Sequence, residues 1–178
     1  MEKVVYALWR DPSQSREAFH DRLLSSVADK LIAAGVRGLR MNIPDAAVDS
    51  AAALRMNCTQ PAMDAIVQTW VDVAHSDFRK PVDAILADAA HRTAAWLVTE
   101  SEIIRNIEHP PKPGARTHGW SQICFLTRPA RLTHEAWLEI WQGSHTQVAI
   151  DTQSNFQYVQ NLIAGPLTYA AAPYSAMI

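Results

Sequence analysis

Residues 133–151, THEAWLEIWQGSHTQVAID, decide how the second half of the chain folds. Thr133 can cap the N-terminus of a helix with its side-chain oxygen. Trp137, Trp141 and His145 then follow at i, i+4 and i+8, which is one helix face at a period of about 3.6 residues. The pattern predicts one amphipathic helix, and its buried stripe is expected to contain two tryptophans and, unusually, a histidine.

The composition is that of an ordinary globular chain. It has 178 residues, 48% of them hydrophobic and 19% charged, so it can bury a sizeable core in one domain or two small lobes. A net charge of −2 argues against nucleic acid or an anionic membrane as a partner. The first residues, MEKVVYALWRDP, lack the pattern of a signal peptide. No apolar run approaches the roughly 20 residues of a membrane span.

The two cysteines, Cys58 and Cys124, cannot form a disulfide framework. One disulfide is possible in principle, but two reduced thiols fit the cytoplasmic location that we expect for this chain.

The first 108 residues predict an α+β unit with the order β-α-β-β-α-β, which is the ferredoxin-like arrangement. Ser15 is expected to cap the first helix, Gly35 to end it, and Pro81 to stand in the first turn of the second helix. The predicted strands are residues 3–9, 36–43, 65–73 and 95–104, and the predicted helices are residues 15–34 and 81–91.

Residues 109–116, HPPKPGAR, predict a linker, because three prolines and a glycine continue neither a helix nor a strand. The pattern restarts after it, in residues 117–178. Residues 3–31 align with residues 121–149 without a gap, which indicates an internal repeat.

The alignment matches the apolar stripes of the two helices. It pairs Phe19 with Trp137, Leu23 with Trp141 and Val27 with His145. Only the second copy is therefore expected to place a histidine on the buried face.

The second copy is expected to be incomplete. Its strands are predicted at residues 119–127 and 155–163, and Pro173 to Ile178 match the opening of the third strand of the first copy. In a ferredoxin-like sheet, with the spatial order 4-1-3-2, the third strand lies between the first and the second, so without it the strand at residues 155–163 has no backbone partner. We expect either that the natural chain continues past Ile178 or that another chain donates the strand.

The chain resembles the EthD family of the dimeric α+β barrel superfamily. The resemblance rests on the helix motif [ST]-x-E-x-[FW]-x-x-x-W-x-x-x-H and on a following strand with the sequence YVQN, and it covers nearly the whole chain as a tandem pair. The residues that carry it are Thr133, Glu135, Trp137, Trp141, His145 and Tyr158–Asn161.

The resemblance implies that two ferredoxin-like units set their sheets face to face and close a barrel with the helices outside. The barrel interior would be a pocket for a small hydrophobic or aromatic molecule, with no cofactor. The superfamily includes cofactor-free isomerases, cyclases, dehydratases and decarboxylases, and more distantly haem enzymes. In the first copy Leu23 and Val27 replace the motif tryptophan and histidine, so we expect a single working site. Whether the chain forms a homodimer is left open by the sequence.

His145 is the candidate catalytic residue. With an ordinary pKa near ~6.5, an imidazole can act as base or acid at neutral pH, and burial beside tryptophan would favour its neutral form. The alternative is a core histidine that is hydrogen-bonded to a backbone carbonyl.

Four further residues are candidates for substrate binding. Trp137 and Trp141 either line an aromatic pocket or pack between helix and sheet. Tyr158 and Asn161 either donate hydrogen bonds to a ligand carbonyl or enolate, or pack across the strands. On a regular strand these two side chains point to opposite faces, so they cannot both face one pocket.

The other polar residues of the sequence give weaker predictions of a functional site. Glu100 and Glu102 share a strand face, either as a paired-carboxylate site or as a solvated strand end. His91, His109 and His118 lack the spacing of metal ligands, and no glycine-rich phosphate-binding motif is present, so we expect neither a metal nor a nucleotide cofactor.

The sequence thus predicts a small-molecule-binding barrel protein, with cofactor-free isomerase, cyclase or lyase chemistry at His145 if it is an enzyme. Two alternatives stay open. One is a non-catalytic carrier of an aromatic metabolite, and the other is a haem-linked oxidoreductase with His145 as the axial ligand.

Overall fold

The structure, a computed structural model, describes residues 1–169 and 171–178. Within them the chain has an α+β fold with seven strands: β1 (Glu2–Trp9), β2 (Gly38–Asn42), β3 (Ala65–Val71), β4 (Arg92–Ile104), β5 (Phe125–Leu126), β6 (Tyr158–Pro166) and β7 (Ala176–Met177). Their order in the sheet is β2-β3-β1-β4-β6-β7-β5.

Packing divides the chain into two compact units. Unit 1 consists of Met1–Thr99 and Ile163–Pro173, and unit 2 consists of Glu100–Leu162 and Tyr174–Ile178. The sequence-based division into residues 1–108 and 117–178 stays a prediction.

Unit 1 contains β1, β2, β3 and the part of β4 up to Thr99, and these are the four strands that the sequence predicts for the first copy. The central strand β1 pairs antiparallel with β3 on one side and β4 on the other, and β2 pairs with β3. In this register Val5 lies opposite Gln68 on β3 and opposite Trp96 on β4. The order β2-β3-β1-β4 is the spatial order 4-1-3-2 expected from the sequence.

The first long helix of unit 1 has three segments: α1 (Arg16–Arg22), a π-helical segment (Leu23–Val27) and α2 (Ala28–Ala33). Ser15 caps it as predicted, because its hydroxyl oxygen accepts a backbone N–H hydrogen bond of 3.1 Å. Gly35, at a φ of 87°, ends it in a conformation that favours glycine. The π-helical segment was not predicted.

A 3₁₀-helical segment, Ala46–Leu54, follows β2. The guanidinium of Arg16 donates two hydrogen bonds to the carboxylate of Asp49, at 2.8 and 3.0 Å. This bidentate ion pair ties the segment to the start of α1. Hydrogen bonding to Arg16, together with its charge, lowers the pKa of the Asp49 carboxyl.

The helix after β3, α3 (Ser76–Ala89), begins earlier than predicted. The expectation that Pro81 stands in its first turn is wrong, because Pro81 lies inside the helix. The true cap is His75, whose Nδ1 accepts a hydrogen bond of 3.3 Å from the backbone N–H of Asp77. The polar residues that precede Pro81 hid this start from the hydrophobic pattern.

A buried polar network fixes α3 to β1. Arg79, only 4% exposed, donates through Nε to both carboxylate oxygens of Asp83, at 2.9 and 3.0 Å, and donates through Nη1 to the carbonyl oxygen of Ala74. The hydroxyl of Tyr6 donates to the same carboxylate at 2.8 Å. Burial first, and then the neighbouring carboxylate, raises the pKa of Tyr6.

The central strand β1 of unit 1 is buried on both faces. Val4, Tyr6 and Leu8 on β1 share one hydrophobic core with the helices; their helix partners there are Phe19, Leu23, Val27, Leu31, Val82 and Leu86. The alternate residues of the strand point the other way, and Val5 and Ala7 among them are also buried. We call the side of the unit 1 sheet that carries Val5 and Ala7 the helix-free face.

Unit 2 contains the second long helix, again in three segments: α4 (His134–Leu138), a π-helical segment (Glu139–His145) and α5 (Thr146–Thr152). Thr133 caps it as predicted, since its hydroxyl oxygen accepts a backbone N–H hydrogen bond of 3.2 Å. The strand predicted at residues 119–127 is reduced to the two residues of β5.

Strand β7 lies between β5 and β6 and pairs antiparallel with both. Asn161 lies opposite Met177, and Leu162 lies opposite Ala176. The expectation that the strand after the second helix has no backbone partner is therefore wrong for these two positions. The backbone of the chain's last residues supplies that partner.

No helix among the described residues has both the length and the apolar character that crossing a bilayer requires.

Candidate functional site

His145 lies on the exposed side of the second long helix. The expectation that it belongs to the buried stripe beside Trp137 and Trp141 is wrong. Both tryptophans are buried as predicted, but the next buried residue of the helix is Thr146, followed by Ala149.

The π-helical segment explains the shift. Its i→i+5 hydrogen bonds place the fifth residue, rather than the fourth, above a given position. Thr146 is five residues after Trp141, and its hydroxyl donates a hydrogen bond of 2.7 Å to the carbonyl oxygen of Trp141. The π-helical segment of the first long helix is shorter, with five residues against seven here. Val27, the residue aligned with His145, stays buried there.

A buried histidine does exist, but it lies in the first long helix. His20 is 5% exposed, and its Nε2 is 3.3 Å from the carbonyl oxygen of Asp64. Because a carbonyl oxygen only accepts, Nε2 carries the proton in this contact. His20 thus has the role of a hydrogen-bonded core histidine that the sequence left as an alternative for His145.

Trp137 and Trp141 are stacked, with ring centroids 5.1 Å apart and an angle of 14° between the ring planes. They form a hydrophobic cluster with Ala176, against which Leu126 and Leu162 also pack. The indole nitrogen of Trp141 is buried and has no hydrogen-bond partner among the described residues. The pair therefore packs between helix and strands, and it leaves one buried donor unused.

A hydrogen-bond chain connects the same helix to β6. The side-chain amide nitrogen of Gln160 donates to the hydroxyl oxygens of Thr146, at 2.7 Å, and of Tyr158, at 3.1 Å. All three residues are buried. Neither Thr146 nor Gln160 is among the predicted site residues. A helical period of about 3.6 residues places His145, and not Thr146, on the face of Trp141.

Asn161 does not join this chain. Tyr158, Gln160 and Leu162 face the helix, so strand alternation directs Asn161 to the opposite side of β6, as predicted. Its Nδ2 donates a hydrogen bond of 3.3 Å to the carbonyl oxygen of Met177. Its Oδ1 is buried without a hydrogen-bond partner among the described residues. The predicted site residues thus fall into three separate places: the helix–strand interior, the opposite side of β6, and the exposed helix surface of His145.

The other polar candidates lie at the surface. Glu100 and Glu102 are exposed, and Glu102 accepts hydrogen bonds from Arg105 and Gln157. Within the described part of the chain, no three His, Cys, Asp or Glu side chains are grouped so that they could hold a metal ion.

Two histidines at the ends of the predicted linker contact each other, His109 at its start and His118 just after it. The imidazole rings of His109 and His118 lie 3.8 Å apart between centroids, and the ring of Phe156 contacts His109 edge-on at 5.2 Å. The ring of His118 also lies 5.8 Å from that of Phe156, so the three rings form one aromatic cluster.

Comparison with known proteins finds no matching family model, no matching curated protein and no matching solved structure.

Proposed function

We propose that the chain is an EthD-like α+β barrel protein that binds a hydrophobic or aromatic small molecule. The proposal comprises two tandem ferredoxin-like units that form a dimeric α+β barrel. The sheet faces that carry no helix would line its interior.

The observation that carries the proposal is the burial of β1 residues on the helix-free face of unit 1. Val5 and Ala7 are buried, although the helices of the unit pack against the other set of β1 residues. A sheet covered by helices on one side exposes its other side to solvent in a simple two-layer fold, with polar residues there. Apolar residues buried on both sides instead suit a sheet that closes around an interior.

Equivalent hydrogen bonds in the two units support the tandem repeat. In each unit an arginine before the long helix donates through its guanidinium to the carbonyl oxygen four residues later, and its backbone N–H donates to a side chain that precedes the third strand. These contacts join Arg10 to Gln14 and Asp64 in unit 1, and Arg128 to Leu132 and Ser175 in unit 2. Each long helix also contains a π-helical segment.

The test is a ligand screen with a matched pair of variants. We expect 2-naphthol or 2-methylnaphthalene to bind the wild-type protein in isothermal titration calorimetry and to raise its Tm. Ala7 and Ala95 are both buried on neighbouring strands, Ala7 on the helix-free face and Ala95 on the helix side. Replacing either with methionine overpacks its surroundings by about 1–3 kcal/mol, but only Ala7→Met should weaken the ligand. Absence of binding to the wild type, or equal weakening by both variants, would contradict the proposal.

The catalytic form of the proposal gives His145 the role of acid or base in cofactor-free isomerisation, cyclisation, dehydration or decarboxylation. Because its side chain is exposed, a substrate would have to reach the outer surface of the second long helix. Mass spectrometry and NMR of a bound compound after incubation distinguish this form from a carrier, whose ligand leaves unchanged. In the catalytic form, His145→Ala abolishes turnover, whereas in the carrier form the same variant binds the ligand as the wild type does.

A further inference from the structure

We propose that unit 2 contains a polar subsite at Asn161 that accepts a hydrogen bond from the hydroxyl group of an aromatic ligand, such as a phenol or an enol. This inference rests on the proposed binding function and adds the chemical class of the ligand. It concerns the side of β6 opposite the second long helix.

The orientation of the Asn161 amide is set by its neighbour. Its Nδ2 donates to the backbone carbonyl of Met177 at 3.3 Å, and a carbonyl oxygen can only accept. Turning the amide over would bring two acceptor oxygens together. The atom left without a partner among the described residues is therefore the acceptor Oδ1, and not the donor nitrogen.

Burial makes this atom selective. Asn161 is 1% exposed, so bulk water does not satisfy its oxygen, and a buried polar atom without a hydrogen bond is rare in folded proteins. A ligand that satisfies it must bring a donor. A hydroxyl or an N–H group does so, whereas a ketone, an ether or a carboxylate would add a second acceptor and be repelled.

The residues beside Asn161 suit an aromatic ring. Met177 lies opposite Asn161 on β7, and Phe125 lies opposite Met177 on β5, so the three side chains stand in one row on the same side. Met177 is buried, and the ring of Phe125 lies 4.8 Å from that of Tyr174. A thioether and aromatic rings favour contact with another ring. The row thus places one thioether and one aromatic ring beside one acceptor.

Unit 1 shows which group donates a hydrogen bond to the asparagine oxygen at the equivalent position of its sheet. Asn42 lies opposite Ile66 on the third strand, as Asn161 lies opposite Met177. The Oδ1 of Asn42 accepts a hydrogen bond of 2.8 Å from the side-chain amide of Gln68. A carboxamide oxygen at this position therefore takes a donor in unit 1, and in unit 2 the ligand hydroxyl takes the place of that donor.

Two probes of nearly equal size test the inference on the wild-type protein. 2-Naphthol carries a donor, and 2-methylnaphthalene replaces the hydroxyl with a methyl group. We expect 2-naphthol to bind about tenfold more tightly in isothermal titration calorimetry, the effect of one buried hydrogen bond. Equal affinity would overturn the subsite and leave the proposed binding function in place. Absence of binding by both probes would overturn both proposals.

A variant then assigns the preference to Asn161. Asn161→Leu keeps the shape and removes the acceptor, so the preference for 2-naphthol should disappear. The control is Asn155→Leu, because Asn155 lies in the same unit and its amide donates to Ala149 and Gln153 away from this row. We expect that variant to keep the preference. A preference that persists in Asn161→Leu would overturn the assignment, and the comparison of the two probes on the wild type holds even if this variant does not fold.

Discussion

The hydroxyl of Thr146 donates a 2.7 Å hydrogen bond to the carbonyl oxygen of Trp141, five residues earlier in the chain. The same hydroxyl oxygen accepts a hydrogen bond from Gln160 on β6. One side chain therefore serves a backbone acceptor within the helix and joins the helix to the strand. This explains why a polar residue occupies a buried position there.

We expect Thr146→Val to destabilise the protein by about 1–3 kcal/mol, because the nearly isosteric valine leaves a buried carbonyl and a buried amide each short of one hydrogen bond. Urea unfolding followed by tryptophan fluorescence measures the change. Thr152 is the matched control: its hydroxyl also donates to a helix carbonyl, that of Val148 at 2.7 Å, but the contact is exposed. Thr152→Val should change the free energy of unfolding by less than about 0.5 kcal/mol. Equal effects would contradict the role given to Thr146.

Arg79→Met should cost about 1–3 kcal/mol, because it removes the hydrogen bonds of the guanidinium to the partly buried carboxylate of Asp83 and to the carbonyl oxygen of Ala74. The neighbouring Lys80→Met removes only the exposed ion pair with Asp77 and should change the free energy of unfolding by less than about 1 kcal/mol. Denaturant unfolding of the two variants under the same conditions gives both values. If both variants proved equally stable, the network would not be what anchors α3.

The Asp49 carboxyl should titrate below its ordinary range in the folded protein, since Arg16 holds it in the charged form. The lowered pKa means that the ion pair stabilises the folded state above the unfolded-state pKa of the group. That contribution is lost as the pH falls through the folded-state pKa. An NMR titration of the carboxyl carbon should show the pKa rise in Arg16→Met, while Asp72, paired with Arg37, keeps its lowered value. A pKa of Asp49 that Arg16→Met leaves unchanged would refute the pairing.

Replacing His145 with alanine should change the free energy of unfolding by less than about 0.5 kcal/mol, because the side chain is exposed. His20→Ala should cost about 1–3 kcal/mol, since it removes a buried ring and the hydrogen bond to Asp64. Thermal and urea unfolding of the two variants measure both changes. A large loss in His145→Ala would mean that the histidine is packed in solution after all.

The elements of the first copy could be predicted because local signals agree with tertiary packing. Ser15 and Gly35 mark the two ends of the first long helix, and both have the roles that their chemistry suggests. Pro81 misled the prediction, because proline is common in the first turn of a helix, whereas here it stands well inside α3.

The position of His145 could not be predicted from periodicity. A buried stripe at i, i+4 and i+8 assumes an uninterrupted α-helix, and the π-helical segment after Leu138 breaks that assumption. No sequence pattern marks this segment, and the structure reveals it by placing a threonine, Thr146, on the buried face. The contrast between Val27 and His145 therefore carries less weight than the aligned sequences suggest.

The π-helical segment also means that the second long helix contains one residue more than its buried contacts need. Deleting one residue between Trp141 and Thr146 would bring these two to α-helical spacing, with Thr146 and Ala149 still directed inward. Such a segment has the character of a single-residue insertion that the helix absorbs without changing its inner face. Chain length at this point and the identity of the buried residues are therefore independent, so that a homologue one residue shorter here could keep the same interior.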